Sequence, residues 1–306
     1  MAIELCWLAS PAASSLHAAQ AILDGRQLAD QKIGEALAEP ARALRRELAA
    51  WEIEPRSFFA HAIPLTVPND SSEKLAEAVV ARLIGQSATS IIISGVARRV
   101  AALQAAFNET HPQATTELSL RAGPLAEQWE ARGPGLIAAI GRATDKALLA
   151  ERADVILLQP ILGGDGTVFP LYGAVAIEAV LANPIAELPE VVRLGWLLAQ
   201  LNRRQTPFQP TEPCAHDALS MIMPTLWAAE HVELARLNLE TIAAAIRSWT
   251  RIYVGERKTS VEIQGKEIEW IPDRLMDWWT AYQSTSVSWS EARADLKRRI
   301  PAILSR

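Results

Sequence analysis

Between residues 161 and 184 the chain reads ILGGDGTVFPLYGAVAIEAVLANP. Gly163, Gly164 and Gly166 surround Asp165, and Glu178 interrupts an apolar run in which Tyr172 is the only other ionisable side chain from Leu171 to Ala186. Glycines permit positive backbone φ and let main chain approach a bound molecule closely, while an aspartate among them supplies charge or a side-chain hydrogen bond. Gly163, Gly164, Asp165 and Gly166 are therefore candidate binding residues, and a plain tight corner is the simpler expectation for them. No Lys-Ser/Thr follows as in a phosphate-binding P-loop, and the GxGxxG order of a dinucleotide fold is absent.

Glu178 carries the sharper question. Its surroundings predict a helix that is apolar nearly all round, hence buried. A buried carboxylate needs a partner or becomes neutral. Arg193 is the only charge among residues 191–201, so an ion pair between Glu178 and Arg193, across two antiparallel helices, is the structural expectation. If Glu178 instead faced a wet crevice, it would head a catalytic group with Tyr172, Glu130 and Arg132. The last two flank Gly133-Pro134-Gly135, which predicts a helix break that would turn them toward the glycine loop. Arg193 would then be a binding residue.

The order of a strand, a glycine loop, a helix with a central glutamate and a second helix from Glu190 resembles that of the zincin metalloproteases. That family needs two histidines one turn apart around the glutamate to hold zinc. Here the five positions are Ile177, Glu178, Ala179, Val180 and Leu181, so both histidine positions are apolar. The resemblance implies an inactive zincin-like scaffold and no metal.

His17, His61, His111, His216 and His231 include no pair at the i, i+4 spacing, and each reads as a lone surface or capping residue. Ser94-Gly95 lacks the glycine two residues before the serine that a nucleophile elbow requires. Arg98-Arg99 reads as a solvated face. Cys6 and Cys214 have no CxxC partner, which argues against a disulfide framework or a cysteine zinc site. No cofactor is implied.

The elements that would position these groups follow from pattern and composition. In 306 residues half are apolar and 21% charged, with a formal net charge of -5. The balance suits a folded globular chain and offers no electrostatic case for nucleic acid. The uncharged stretch from Cys6 to Leu23 is too diluted by polar residues to span a bilayer and has no basic leader before it, so the expectation is a cytoplasmic protein without membrane contact. A homo-oligomer stays open. Ten tryptophans at irregular spacing read as packing residues.

Residues 11–50 predict two helices with a break at Asp24-Gly25. HAIPLTV, SIIISG at 90–95, TELSLRA at 116–122 and ADVILLQP at 153–160 read as strands alternating with helices. That alternation predicts an α-rich α/β fold with a mixed or largely parallel sheet. Residues 171–250 read as helical, QTPFQPTEP at 205–213 as a linker, VEIQGKEIEWI as a hairpin around Gln264-Gly265, and the chain from 273 as amphipathic helix. The expected organisation is a helical segment over 1–60, an α/β core over 61–204 and a helical region over 205–306 packed on the core, with one continuous domain as the alternative. In the absence of an intact catalytic signature, the expected role is non-catalytic binding or assembly. The alternative is a hydrolase or transferase with its pocket at 163–178.

Overall fold

The computed structural model describes residues 3–202, 215–250, 252–254, 269–300 and 303–305. The expected linker at 205–213, Cys214 and the expected hairpin at 264–265 lie outside the described residues. The fold is an α-rich α/β arrangement around a four-stranded mixed sheet, as expected. Its strands are β1 (Glu4–Ala9), β2 (Arg152–Leu158), β3 (Gly166–Phe169) and β4 (Ala174–Glu178), in the order β1-β2-β4-β3. β1 and β4 run parallel to β2, placing Leu8 opposite Ile156 and Leu158 opposite Glu178, while β3 is antiparallel to β4.

Period-two alternation divides the sheet between two cores. Ile156, Leu158, Phe169, Ala174 and Ala176 face one layer, formed by α1 (Pro11–Leu23), α2 (Gln31–Ala50), α3 (Pro55–Leu65), α4 (Ser72–Ile84) and α5 (Ser90–Thr110). Val155, Leu157, Val168, Val175 and Ile177 face the other. That second layer holds α6 (Ala114–Ala143), α7 (Glu190–Leu198) and the C-terminal helices α8 (Ala215–Ser220), α9 (Ile222–His231), α10 (Leu239–Trp249), α11 (Ile271–Gln283) and α12 (Trp289–Arg299). A short antiparallel pair, β5 (Ile252–Val254) with β6 (Ile303–Ser305), ties the end of the chain to the end of α10.

Several local expectations are overturned, each for a physical reason. SIIISG is the first turns of α5, because Thr89 caps it by accepting from the Ile92 N–H at 3.5 Å and the buried Ile92, Val96, Val100, Leu103 and Phe107 recur at helical spacing. HAIPLTV belongs to α3 and the turn after it, and TELSLRA to α6. The predicted break at Gly133-Pro134-Gly135 does not occur. α6 runs on through Pro124 and Pro134, each of which removes one backbone donor, while the buried stripe of Leu125, Trp129, Leu136, Ile137 and Ile140 keeps it docked. The apolar run ending at Glu178 is strand β4, buried at all five positions; a strand covered on both faces loses the alternation that marks it in sequence. The first 60 residues, expected to be helical, also contribute β1 at the edge of the sheet.

By length and hydropathy α5 is the one described helix that could cross a membrane; here its apolar side packs into the N-terminal helical layer. The tryptophans serve mainly as filling: Trp129, Trp196, Trp249, Trp278, Trp279 and Trp289 are buried. Trp278 is central, tilted against Trp279 and Trp289 and donating its ring N–H to the Ala292 carbonyl at 2.8 Å.

Candidate functional site

The carboxyl ends of β1, β2 and β4 lie side by side, the edge at which open α/β sheets bind ligands. β1 is followed directly by Ser10, whose hydroxyl caps α1 by accepting from the Ala13 N–H at 3.0 Å and lies 3.2 Å from the Thr66 hydroxyl. One turn on, Ser14 donates to the Ser10 carbonyl and accepts from the Gln159 N–H at 3.0 Å, so α1 is pinned to the end of β2. The Gln159 amide donates to Glu117 on α6 at 2.9 Å. This frame fixes the face of α1 that carries His17.

Glu178 terminates β4 and is fully buried. Its Oε1 accepts from the backbone N–H groups of Ile161 at 3.1 Å and Leu162 at 2.8 Å and lies 3.0 Å from His17 Nε2; its Oε2 accepts from the Gly164 N–H at 2.7 Å. A carboxylate is an acceptor at every lone pair, and three convergent amides suit that form. The loop can wrap the carboxylate because Gly163 and Gly164 sit at φ +79° and +120°, conformations that favour glycine. The loop closes when the Glu178 N–H donates to the Asp165 carbonyl at 2.9 Å.

Asp165 turns its carboxylate back to the helical layer. Its Oδ2 accepts from Arg26 Nη1 at 2.6 Å and stands 3.9 Å from His17 Nε2. On the other side of Gly164 lies the first turn of α7. Glu190 and Arg193 are buried there, with Arg193 Nη2 3.4 Å from Glu190 Oε1. Burial above all pushes the Glu190 carboxyl up to about 7; Arg193 opposes the shift, while the charges of Glu178 and Asp165 add to it. Glu190 Oε2 and Arg193 Nε and Nη1 are buried without a hydrogen-bond partner among the described residues. A Cβ on Gly164 would fall 2.6 Å from Pro184 Cγ and in ordinary contact with Arg193 Nη1 at 3.4 Å, so the bare glycine is what lets Pro184 pack on this loop, with the guanidinium beside it.

The structure thus gathers Glu178, Asp165, Gly163, Gly164 and Arg193, with Gly166 at the start of β3 beyond them, where a side chain would collide with Leu197. It corrects the expected Glu178–Arg193 ion pair: Glu178 ends a strand, so its oxygens reach the 161–164 loop and His17, and Arg193 pairs with Glu190 three residues away. The zincin-like placement fails for the same reason, because the glutamate is not on a helix. Tyr172 lies at the opposite end of β4, its hydroxyl 2.5 Å from His61 Nδ1 and its ring under Arg82 at 5.5 Å. Burial, then Arg82, holds the His61 imidazole below its ordinary range, and burial pushes the Tyr172 phenol up. Glu130 and Arg132 are exposed on α6, where Arg132 donates to the Val232 carbonyl at 3.3 Å; with no break in that helix, nothing turns them toward the loop.

His17, Arg26 and Glu190 complete the cluster and were not singled out by sequence reasoning. One signal was available for His17. Within the uncharged stretch from Cys6 to Leu23 it is the lone imidazole, as Glu178 is the lone carboxylate of its own apolar run. Among the described residues no group of three or more histidine, cysteine, aspartate or glutamate side chains is arranged to hold a metal ion. No family model, curated protein or solved structure matches the chain.

Proposed function

We propose that this chain is a non-catalytic binding protein whose ligand seat lies at the carboxyl end of the parallel strands. The observation that supports this reading is the hydrogen bonding of Glu178. Its oxygens are engaged by three backbone donors and His17, which suits a group that holds shape and ill suits one that must gain and lose a proton during turnover. Beside it, Arg193 and Glu190 keep buried polar atoms with unused capacity. A few precisely placed polar groups on a pre-formed frame are what fix the orientation of a small ligand.

The test couples two measurements on the full chain: thermal stabilisation by a panel of anionic, cationic and neutral small molecules, and turnover of chromogenic carboxylic and phosphoric esters. Stabilisation by a panel member without turnover is the expected result. Ester turnover that disappears in Glu178→Gln while the fold is retained would overturn it.

One observation favours a second reading, a hydrolase or transferase. A carboxylate 3.0 Å from an imidazole nitrogen is the arrangement that orients a histidine base, leaving its other nitrogen to accept a proton. Turnover that depends on His17 and falls on the acid limb of its pH profile, where the base is protonated, would establish that reading.

A further inference from the structure

We propose that Arg193 anchors a small oxyanion, a carboxylate or phosphate group of the ligand, in the place that the Glu190 carboxylate now fills. This rests on the binding reading above and names the chemistry of the ligand.

Arg193 is 2% exposed, yet among the described residues its only ionic contact is Glu190 Oε1 at a long 3.4 Å, and Nε and Nη1 meet no acceptor. A guanidinium stays charged at any physiological pH, so it cannot relieve this deficit by losing a proton as a lysine could. Buried donors left unmade are costly, and a buried charge without full hydrogen bonding more so. The fork that Nε and the two terminal nitrogens present matches two oxygens of a carboxylate or phosphate. Glu190 fills that role poorly, since one oxygen is distant and Oε2 is idle.

The position supports the same conclusion. Arg193 stands at the carboxyl ends of β2 and β4, against the bare Gly164. The other charges of the cluster already have partners: Arg26 holds Asp165, and His17 with three amides holds Glu178. Arg193 is the cation of the cluster with unused donors. An incoming oxyanion exchanges one carboxylate for another at the guanidinium and leaves the rest of the network intact. Glu190 lies in the first turn of α7 with its backbone N–H held by the Asn183 side chain at 3.1 Å, so the carboxylate gives way by side-chain rotation while the helix stays in place.

The experiment measures thermal stabilisation by inorganic phosphate and by acetate, at ionic strength held constant with sodium chloride, for wild type, Glu190→Gln, Arg193→Lys and Arg193→Met. Wild type is stabilised by at least one probe. Glu190→Gln, which removes the competing charge, binds that probe at least tenfold more tightly. Arg193→Lys, which keeps the charge but loses the fork, binds it at least tenfold more weakly, and Arg193→Met does not respond. Should Arg193→Met fail to fold, the Glu190→Gln and Arg193→Lys comparisons decide. Absence of stabilisation in both wild type and Glu190→Gln overturns the proposal, as does equal stabilisation of wild type and Arg193→Met. Stabilisation by cationic or neutral molecules alone removes the oxyanion anchor and leaves the binding reading standing; ester turnover dependent on Glu178 removes the binding reading itself.

Discussion

His17 Nε2 lies 3.0 Å from Glu178 Oε1, joining residues 161 positions apart and locking α1 to the end of β4. Both side chains are almost wholly buried. His17→Ala removes one of four interactions at this carboxylate and leaves the three amides in place. The expected loss is about 1 to 3 kcal/mol of unfolding free energy, the usual cost of leaving one buried polar group short of a partner. Urea denaturation monitored by tryptophan fluorescence measures it.

Gly163→Ala and Gly164→Ala separate backbone strain from crowding. Both positions have positive φ, but a Cβ at 163 meets open space whereas one at 164 falls 2.6 Å from Pro184 Cγ. Gly163→Ala is expected to cost about 1 to 2 kcal/mol for the left-handed backbone alone, and Gly164→Ala clearly more, with the displacement of Pro184 added. Equal unfolding midpoints for the two variants would contradict the loop geometry.

Glu190 makes stability depend on pH in a defined direction. Its carboxyl is raised from 4.5 to about 7 in the folded chain, so between those values the native state holds a proton that the unfolded chain has released. Its contribution is therefore fully present below about pH 4.5 and is lost as pH rises to about 7, at up to roughly 1.4 kcal/mol per pH unit within that window. The difference in unfolding free energy between wild type and Glu190→Gln, followed from pH 4.5 to 8, should show that slope and level off above 7.

The buried Glu190–Arg193 pair is expected to be a net burden on the fold. Replacing both partners together by apolar residues of similar size, as Glu190→Met with Arg193→Met, removes two desolvated ionisable groups and three idle polar atoms. The double variant is expected to match wild type or exceed it by about 1 to 4 kcal/mol. A double variant several kcal/mol less stable than wild type would show that the pair is there to hold the fold together.

The sequence made the chemistry of this edge more legible than its geometry. Glu178 stood out because a lone charge in an apolar run has to be reckoned with, and Gly163 and Gly164 because only special backbone needs adjacent glycines. The α/β class was legible from ADVILL, whose β-branched residues lie in the middle of the sheet. The other strands were not: AVAIE is covered on both faces and alanine-rich, so it imitates a buried helix, and SIIISG imitates a strand although a threonine cap starts a helix there. Sequence proximity points Glu178 to Arg193, but strand pairing governs proximity here. β1 lies beside β2, and β2 beside β4, which carries His17 to Glu178 across the length of the domain. No spacing rule encodes that juxtaposition.

The central claim is that Glu178 holds the edge of the sheet in shape. The most direct test is the urea unfolding of Glu178→Gln, which keeps the size of the side chain but turns an amide N–H₂ toward donors that need an acceptor. A loss of about 2 to 4 kcal/mol relative to wild type is predicted, the cost of confronting buried donors with a donor and removing the charge they hold. An unfolding midpoint indistinguishable from wild type would contradict it.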